Sequence, residues 1–156
     1  MIIKVSSKGN KLNDGKPREE VKTYNQALDG SNLLKAEFDK LEGRTQGLAG
    51  PQIGVELRII LCRWSKRKKI PLIMINPVIL KSYGKRESWE GCESCEKGVY
   101  YKVNRSLVVH MKYLNENMEE QFLWAFGKRA RIIEHEIDHL NGLCINGKAS
   151  RRWVKR

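Results

Sequence analysis

The sequence lacks any uncharged apolar run close to the roughly 20 residues that a membrane-spanning helix requires. It also lacks a basic and then apolar leader with a cleavage site, since the first residues, 1–6, read Met-Ile-Ile-Lys-Val-Ser. We therefore expect a cytoplasmic protein with no membrane partner. The 4 cysteines are few. Without an export signal, we expect them to be reduced, buried or metal-bound rather than paired in disulfides.

The composition is that of an ordinary folded domain with a strong excess of basic residues. Hydrophobic residues make up 40% and charged residues 31% of the 156 residues, and the net charge is +12. This length is typical of one domain with a real core, so we expect a single domain over residues 1–156. A basic surface is compatible with nucleic acid, a ribosome or an anionic membrane, but charge alone does not name a partner.

Histidine is scarce, yet two of the 3 histidines are spaced as metal ligands. His135 and His139 enclose Glu136 in a His-Glu-x-x-His pattern. On a helix, positions i and i+4 lie one turn apart on the same face, so both imidazoles can hold one ion. Glu136 can then exchange protons with a water at that ion without being a ligand itself. The alternative is an amphipathic surface helix with two incidental histidines.

An apolar stripe predicts a helix around this motif. Its members are Phe126, Ala130, Ile133, Ile137 and Leu140, which follow one another in steps of four, three, four and three residues. Gly142 follows as the expected C-terminal cap. The stripe places the histidine pair at the edge of the core.

A catalytic site of this kind needs a third protein ligand, and Cys92 is the leading candidate. Because Cys95 follows three residues later, two cysteines and two histidines could instead form a closed structural zinc site in a basic nucleic-acid-binding module. The long gap from Cys95 to His135 and the absence of a role for Glu136 count against that alternative. A metalloprotease with a downstream third ligand is excluded, since no His, Asp or Glu follows His139.

The remaining elements predict an α+β fold in which antiparallel sheets pack around the central metal-binding helix. A helix is expected over Asp29–Leu41, with Asp29 or Ser31 as its cap and Leu34, Phe38 and Leu41 on one face. Hairpin turns are expected at Lys66–Lys69 and Asn115–Asn117. The expected strands are Ile2–Val5, Val55–Cys62, Leu72–Asn76, Val78–Leu80, Arg86–Trp89, Ser106–Leu114 and Met118–Phe122.

The loop Gly47–Gly54 is rich in small residues and contains Gln52. Small residues allow backbone to approach a ligand closely, and a glutamine amide can donate to an oxyanion. Taken alone, the loop fits an ordinary tight turn into a strand at least as well as it fits an oxyanion-binding loop.

Together, three stretches resemble the ordered motifs of the peptide deformylases: Gly47–Gln52, Glu90–Ser94 and His135–His139. The resemblance extends from about Asp29 to about Leu143. This family of metal-dependent hydrolases removes the formyl group from the N-terminal formyl-methionine of new bacterial or organellar proteins and releases formate. The expected substrates are therefore formyl-methionyl nascent peptides.

The resemblance also implies a role for each matching residue. Cys92, His135 and His139 would hold the metal, which is usually Fe(II) in the family, while Zn(II), Ni(II) and Co(II) suit the same donors. Glu136 would be the general base and then the acid, and Gln52 with the backbone N–H of Glu93 would stabilise the oxyanion. Two further groups complete the implied site: Gly47, Leu48, Gly91 and Ile132 along the substrate, and Glu90 paired with Arg105 behind the cysteine loop.

The sequence departs from the usual family pattern at several places. Glu93 stands where leucine is common, and Cys95–Gly98 replaces the usual continuation of the second motif. Little chain follows Gly142, which resembles the short forms of bacteriophages and some marine bacteria, so the compartment would be a bacterial cell or a host cytoplasm. We expect the basic segment Arg151–Arg156 to make a weak, salt-sensitive ribosome contact, and we expect no specific nucleic acid partner.

Overall fold

The computed structural model describes residues 1–4, 11–64 and 71–155. It has the expected α+β composition. Short 3-10 turns occur at Lys11–Asn13 and Gly50–Ile53. The elements are, in chain order, α1 (Tyr24–Lys40), β1 (Gly47–Ala49), β2 (Ile59–Cys62), β3 (Leu72–Glu90), β4 (Val99–Leu114), β5 (Glu120–Phe126), α2 (Lys128–Leu140), α3 (Ile145–Lys148) and β6 (Arg151–Val154).

The strands form one antiparallel sheet rather than several sheets. The order β1-β2-β3-β4-β5 runs across it, and β6 pairs with the beginning of β4. The β3–β4 ladder is the longest, from the pair Ile75 and Leu114 to the pair Glu90 and Tyr101. The end of this ladder at Glu90 brings the following segment next to α2, where Cys92 Sγ lies 3.3 Å from His139 Nε2.

Three strands expected between Leu72 and Trp89 are a single strand, β3. Pro77 has no N–H for the ladder, which is why the sequence suggested a break there. The structure absorbs it in a register shift between Ile75 and Val78, with Asn76 in the left-handed region at φ 48°. The Asn76 side chain accepts a hydrogen bond from the Val21 N–H at 2.9 Å and donates to the Val21 carbonyl at 2.8 Å. A bulge therefore lets the strand continue past the proline.

Other strand ends also differ from the expected ones. β2 begins at Ile59 instead of Val55, β4 begins at Val99 instead of Ser106, and β5 covers Glu120–Phe126 instead of Met118–Phe122. The turn at Asn115–Asn117 is confirmed, with Asn115 N donating to Glu119 O at 2.9 Å. Residues 2–4 form no strand, and Val5 and the turn at Lys66–Lys69 lie outside the described residues.

Helix α1 starts five residues before the expected position, so neither Asp29 nor Ser31 is its cap. Thr23 caps it instead, in a capping box: Thr23 Oγ1 accepts from Gln26 N at 3.2 Å, and Gln26 Oε1 accepts from Thr23 N at 3.2 Å. The apolar periodicity did not indicate this start, because the first turn of the helix is mostly polar. The expected face of Leu34, Phe38 and Leu41 is buried.

The two long helices pack on opposite faces of the first three strands. On β2, Ile60 and Cys62 contact the core of α2, while Ile59 and Leu61 contact the core of α1. This arrangement explains why all of β2 is buried and shows no alternation of polar residues. Around α2, the buried stripe is Ala130, Ile133, Ile137 and Leu140.

Phe126 does not belong to this stripe, because it ends β5 and is 61% exposed. Helix α2 is followed by Gly142 at φ 67°, as its place after the helix predicted. After Gly142 the sequence indicated only a basic segment, Arg151–Arg156, and no further helix or strand. In the structure this part of the chain forms α3 and then β6, an edge strand on β4. None of the helices within residues 1–4, 11–64 and 71–155 combines the length and apolarity needed to cross a bilayer.

Replacing Leu34 with alanine tests the core beneath α1. Leu34 is 0% exposed, so we expect Leu34→Ala to lower the free energy of unfolding by about 2–5 kcal/mol, measured by urea denaturation. Leu33→Ala on the same helix is the matched control, because Leu33 is 56% exposed and its loss should change stability little. Equal effects of the two substitutions would contradict the packing of α1.

Candidate active site

A cavity of about 590 Å³ opens between α2, the loop after α1 and the segment after β3. Gly47 and Gln52 line it from one side, and Cys92 lines it from the other. His135 and Glu136 of α2 form its floor. Residues that are far apart in the chain, from the three motifs identified in the sequence, therefore meet in one place.

Cys92, His135 and His139 have the arrangement of a metal site. One donor atom from each lies within 4.8 Å of the other two, and Cys92 Sγ is 3.3 Å from His139 Nε2. The imidazole rings meet edge to face, with centroids 5.1 Å apart. Hydrogen bonding to Cys144 raises the pKa of the Cys92 thiol, but Cys95 and the two imidazoles lower it to about 6. A thiolate with two imidazoles suits a transition metal ion.

Glu136 is buried beside this group, at 4% exposure. Burial raises the pKa of Glu136 to about 7, although His135 and His139 act in the opposite direction. Its Oε2 has no hydrogen-bond partner among the described residues. A buried carboxylate oxygen in this state can accept a proton from a molecule in the cavity. Together with the three donors, this unsatisfied oxygen fits a metal-bound hydrolytic site.

Gly47 makes room for Glu136. A Cβ on Gly47 would lie 2.7 Å from Glu136 Cδ, which is closer than a real Cβ approaches another atom. The neighbouring Thr45 Oγ1 donates to Gly47 O at 2.9 Å and fixes the start of β1. Glycine at this position is therefore explained by a close approach between β1 and α2.

The Gln52 amide has a fixed orientation. Its Oε1 accepts from Ala49 N at 2.9 Å, and its Nε2 donates to Ser94 Oγ at 3.0 Å. The same Nε2 lies 3.7 Å from Cys92 Sγ. The donor end of the amide is thus held next to the cysteine loop. The sequence suggested Gln52 as a donor but did not reveal Ser94 as the residue that orients it.

A buried ionic network supports the site from behind. Arg105 contacts Glu90 through two hydrogen bonds of 3.1 Å, and Glu90 Oε2 lies 2.9 Å from His135 Nδ1. Burial opposes the charge of Glu90, but hydrogen bonds from His135 and Arg105 outweigh it and lower the pKa of this carboxyl to about 2. The expected pair of Glu90 and Arg105 is in direct contact, and it fixes one metal-ligand candidate.

Asp138 extends this network and was not found from the sequence. Arg105 Nη1 contacts Asp138 Oδ2 at 2.6 Å, and Lys148 Nζ contacts Asp138 Oδ1 at 2.7 Å. Its position between Ile137 and His139 on α2 could have indicated this network, because an acidic side chain buried on that helix needs a cation as its partner. Glu134, on the same helix, bonds to the Ser106 N–H and hydroxyl, each at 2.7 Å.

The structure also separates some residues that the sequence grouped together. Leu48 does not line the cavity, because it points into the α1 core and is 0% exposed. Gly91, Glu93 and Ile132 do line it. Cys95 lies with Cys92 and Cys144, and no set of close donors in the described chain joins Cys95 to both histidines. The closed site of two cysteines and two histidines is therefore not assembled.

Comparisons with known proteins agree with this geometry. The model of the polypeptide deformylase family matches residues 15–153. A peptide deformylase of Chlorobium luteolum is 35% identical over 133 residues, which cover 82% of this chain and 70% of that protein. The crystal structure of a Legionella pneumophila peptide deformylase has a TM-score of 0.83 at 31% identity and covers 96% of this chain and 85% of that one.

A second solved structure, a peptide deformylase from Synechococcus elongatus in complex with actinonin, has a TM-score of 0.84 at 30% identity. It covers 97% of this chain and 80% of that one. The family model spans most of the chain, and it includes the loop of Gln52, the segment of Cys92 and the helix of His135. The chain thus belongs to the polypeptide deformylase family, the metal-dependent hydrolases that remove the formyl group from the N-termini of new proteins.

Proposed function

We propose that this cavity performs the deformylation of formyl-methionyl nascent peptides with the residues that line it. The observation that carries the proposal is the meeting of Cys92, His135 and His139 beside the unsatisfied oxygen of Glu136. Hydrolysis converts the formamide and one water into formate and a free N-terminal amine. A site for this reaction needs a nucleophile, an oxyanion stabiliser and a proton carrier.

Cys92, His135 and His139 are the proposed ligands of one divalent ion. When bound, such an ion makes water a nucleophile at neutral pH and stabilises negative charge on a carbonyl oxygen. We assign Fe(II) as the resident ion, because it is the usual one in this family; Zn(II), Ni(II) and Co(II) suit the same donors. Glu90 positions His135 by accepting its Nδ1–H, and Arg105 holds Glu90 in turn.

Glu136 is the proposed proton carrier. It takes a proton from the attacking water and delivers it to the nitrogen of the leaving amine. Its burial and its pKa of about 7 support this role, because a base with a pKa near the working pH can both accept and return a proton. Its place on α2, one residue after His135, keeps it next to the reacting carbon.

Gln52 and the backbone N–H of Glu93 are the proposed oxyanion donors. The Gln52 amide is oriented before substrate arrives, since Ala49 and Ser94 fix its two ends. Preorganised donors of this kind stabilise a developing charge without reorganisation during the reaction. Glu93 lines the cavity beside Cys92, and the proposed donor is its backbone rather than its side chain.

The substrate is proposed to lie along β1. This strand is at the end of the strand order, so among the described strands one of its edges pairs with no neighbour, and an extended peptide could pair there. Gly47 and Gly91 allow the peptide backbone to approach, and Ile132 provides apolar surface for the methionine side chain. Main-chain pairing would make recognition after the methionine largely independent of sequence. Leu48 is withdrawn from this set because it lies in the core.

Glu136→Gln tests the proton carrier. We expect formate release from a formyl-Met-Ala-Ser peptide to fall by about 10²- to 10⁴-fold, since the amide cannot accept the proton. The assay uses enzyme prepared anaerobically with Fe(II) or loaded with Ni(II), and metal content should be unchanged. Glu134→Gln is the matched control on the same helix, because Glu134 bonds to Ser106 outside the cavity. An active Glu136→Gln enzyme would rule out the assigned role.

Gly47→Ala tests the fit between β1 and α2. The added methyl group would push Glu136 away from the position that it occupies now. A displacement of about 1 Å can lower a rate by roughly 100-fold, so we expect kcat for formate release to fall by that order. Metal content and circular dichroism should stay those of the parent enzyme. Unchanged kcat would mean that Glu136 does not need its present position.

We also propose a weak ribosome contact through the exposed basic residues of β6, and hence a location where translation occurs, in a bacterial or an infected host cytoplasm. Arg151 and Arg152 are exposed, and β6 is held in place on β4. Pairing to β4 presents these charges on a defined surface. Such a contact should depend on salt, because binding to ribosomal phosphates releases counterions.

The double substitution Arg151→Gln and Arg152→Gln tests this contact by co-sedimentation with bacterial ribosomes. We expect less bound protein at low salt, and a salt dependence that is weaker by about one power of salt concentration for each charge removed. Lys81→Gln with Lys85→Gln on β3 is the control, as it removes the same charge from another exposed surface. If both pairs reduce binding equally, the contact is not specific to β6.

A further inference from the structure

Three sulfur atoms meet immediately behind the proposed active site. The Sγ atoms of Cys92, Cys95 and Cys144 lie within 4.8 Å of one another, and those of Cys95 and Cys144 are 3.8 Å apart. All three are free thiols. Cys95 and Cys144 have no part in the deformylation mechanism, and their meeting could not be read from the sequence because 49 residues separate them.

The backbone holds these sulfurs at fixed points. Cys95 N donates to Cys92 O at 3.0 Å, which closes a tight Cys-x-x-Cys turn. Cys144 N donates to Asn13 Oδ1 at 3.0 Å, so the N-terminal segment anchors the third cysteine. Val103 and Ile145 pack around the buried pair. Cys92 and Cys95 line the substrate cavity, which gives an ion a route to the cluster.

The spacing favours a bound cation over a disulfide. A disulfide needs its sulfurs about 2.05 Å apart, so Cys95 and Cys144 would have to move toward each other. Two sulfurs that each lie about 2.3 Å from one tetrahedral zinc-type ion are roughly 3.8 Å apart. The separation of 3.8 Å between Cys95 and Cys144 already has this value.

We propose that Cys92, Cys95 and Cys144 form a second metal site, for a thiophilic divalent cation such as Zn(II) or Cd(II). Thiolates select soft cations of this class over Mg²⁺ or Ca²⁺. Binding releases the thiol protons, with no change of oxidation state. Cys92 belongs to both donor sets, so an ion in the sulfur site withdraws Cys92 from His135 and His139. The site is therefore inhibitory, and only this last consequence rests on the proposed function.

Cadmium is a suitable probe, because each Cd–S bond contributes to an ultraviolet charge-transfer band. The test is a titration of the Ni(II)-loaded protein with Cd(II), in which the band is measured together with the metal stoichiometry by native mass spectrometry. We expect a band of three Cd–S bonds per added Cd(II). The double variant Cys95→Ala and Cys144→Ala should retain at most one. Cys62→Ala is the control, since Cys62 is buried outside the cluster.

The same proteins are assayed for formate release at increasing Cd(II). Even outer partners of metal ligands change affinity by about 10- to 100-fold, so loss of the two sulfurs should raise the half-inhibiting Cd(II) concentration at least about tenfold. Each half-inhibiting concentration is taken relative to the activity of the same protein without Cd(II), because Cys95 lines the cavity and the double substitution changes the basal rate. A parent band of one Cd–S bond, or a band of three bonds that survives in the double variant, would overturn the site. A chain that releases no formate but shows the three-bond band would contradict the deformylase assignment alone.

Discussion

Arg105 is buried with a carboxylate on each side, and the arrangement of the site depends on this one cation. Glu90 reaches from the end of β3 and Asp138 from α2, and Arg105 itself lies on β4. Burying a single charge is expensive, so each of these groups needs the others in place. The ion pairs of Arg105 therefore connect the end of β3, β4 and α2. Through Glu90, the same network orients the imidazole of His135.

Helix α2 is held between this network and the strands that also support α1. Its apolar stripe faces Ile60 and Met74, while Glu136 lines the cavity and Asp138 contacts Arg105. This one helix thus contributes core residues, metal-ligand candidates and an ionic partner of Arg105. On the opposite face of the same strands, Leu48 and Leu61 pack in the core of α1. The positions of Gly47 and Gln52 relative to Glu136 are consequently set from both faces of the sheet.

Periodicity and local motifs predicted much of this architecture, because they report local constraints. The stripe of Ile133, Ile137 and Leu140 indicated α2, and the fixed spacing of the histidines indicated a common ion. The bulge beside Pro77 was missed because the Asn76 side chain stabilises it by a hydrogen bond to Val21, which is far away in the sequence. Asp138, Ser94 and Cys144 were missed for the same reason: their partners come from other segments. Leu48 was misplaced because a motif does not show which way a side chain points.

The end of β6 packs against residues that line the cavity. Lys155 N donates to Gly98 O at 2.9 Å, and Trp153 packs against Tyr100 with ring centroids 5.5 Å apart. Gly98 and Tyr100 belong to the wall of the cavity that Cys92 and Glu136 line. Whatever follows Lys155, in a longer protein or in a fusion, therefore begins at the cavity rim. An affinity tag or reporter attached there would place its bulk and charge at the rim of this cavity.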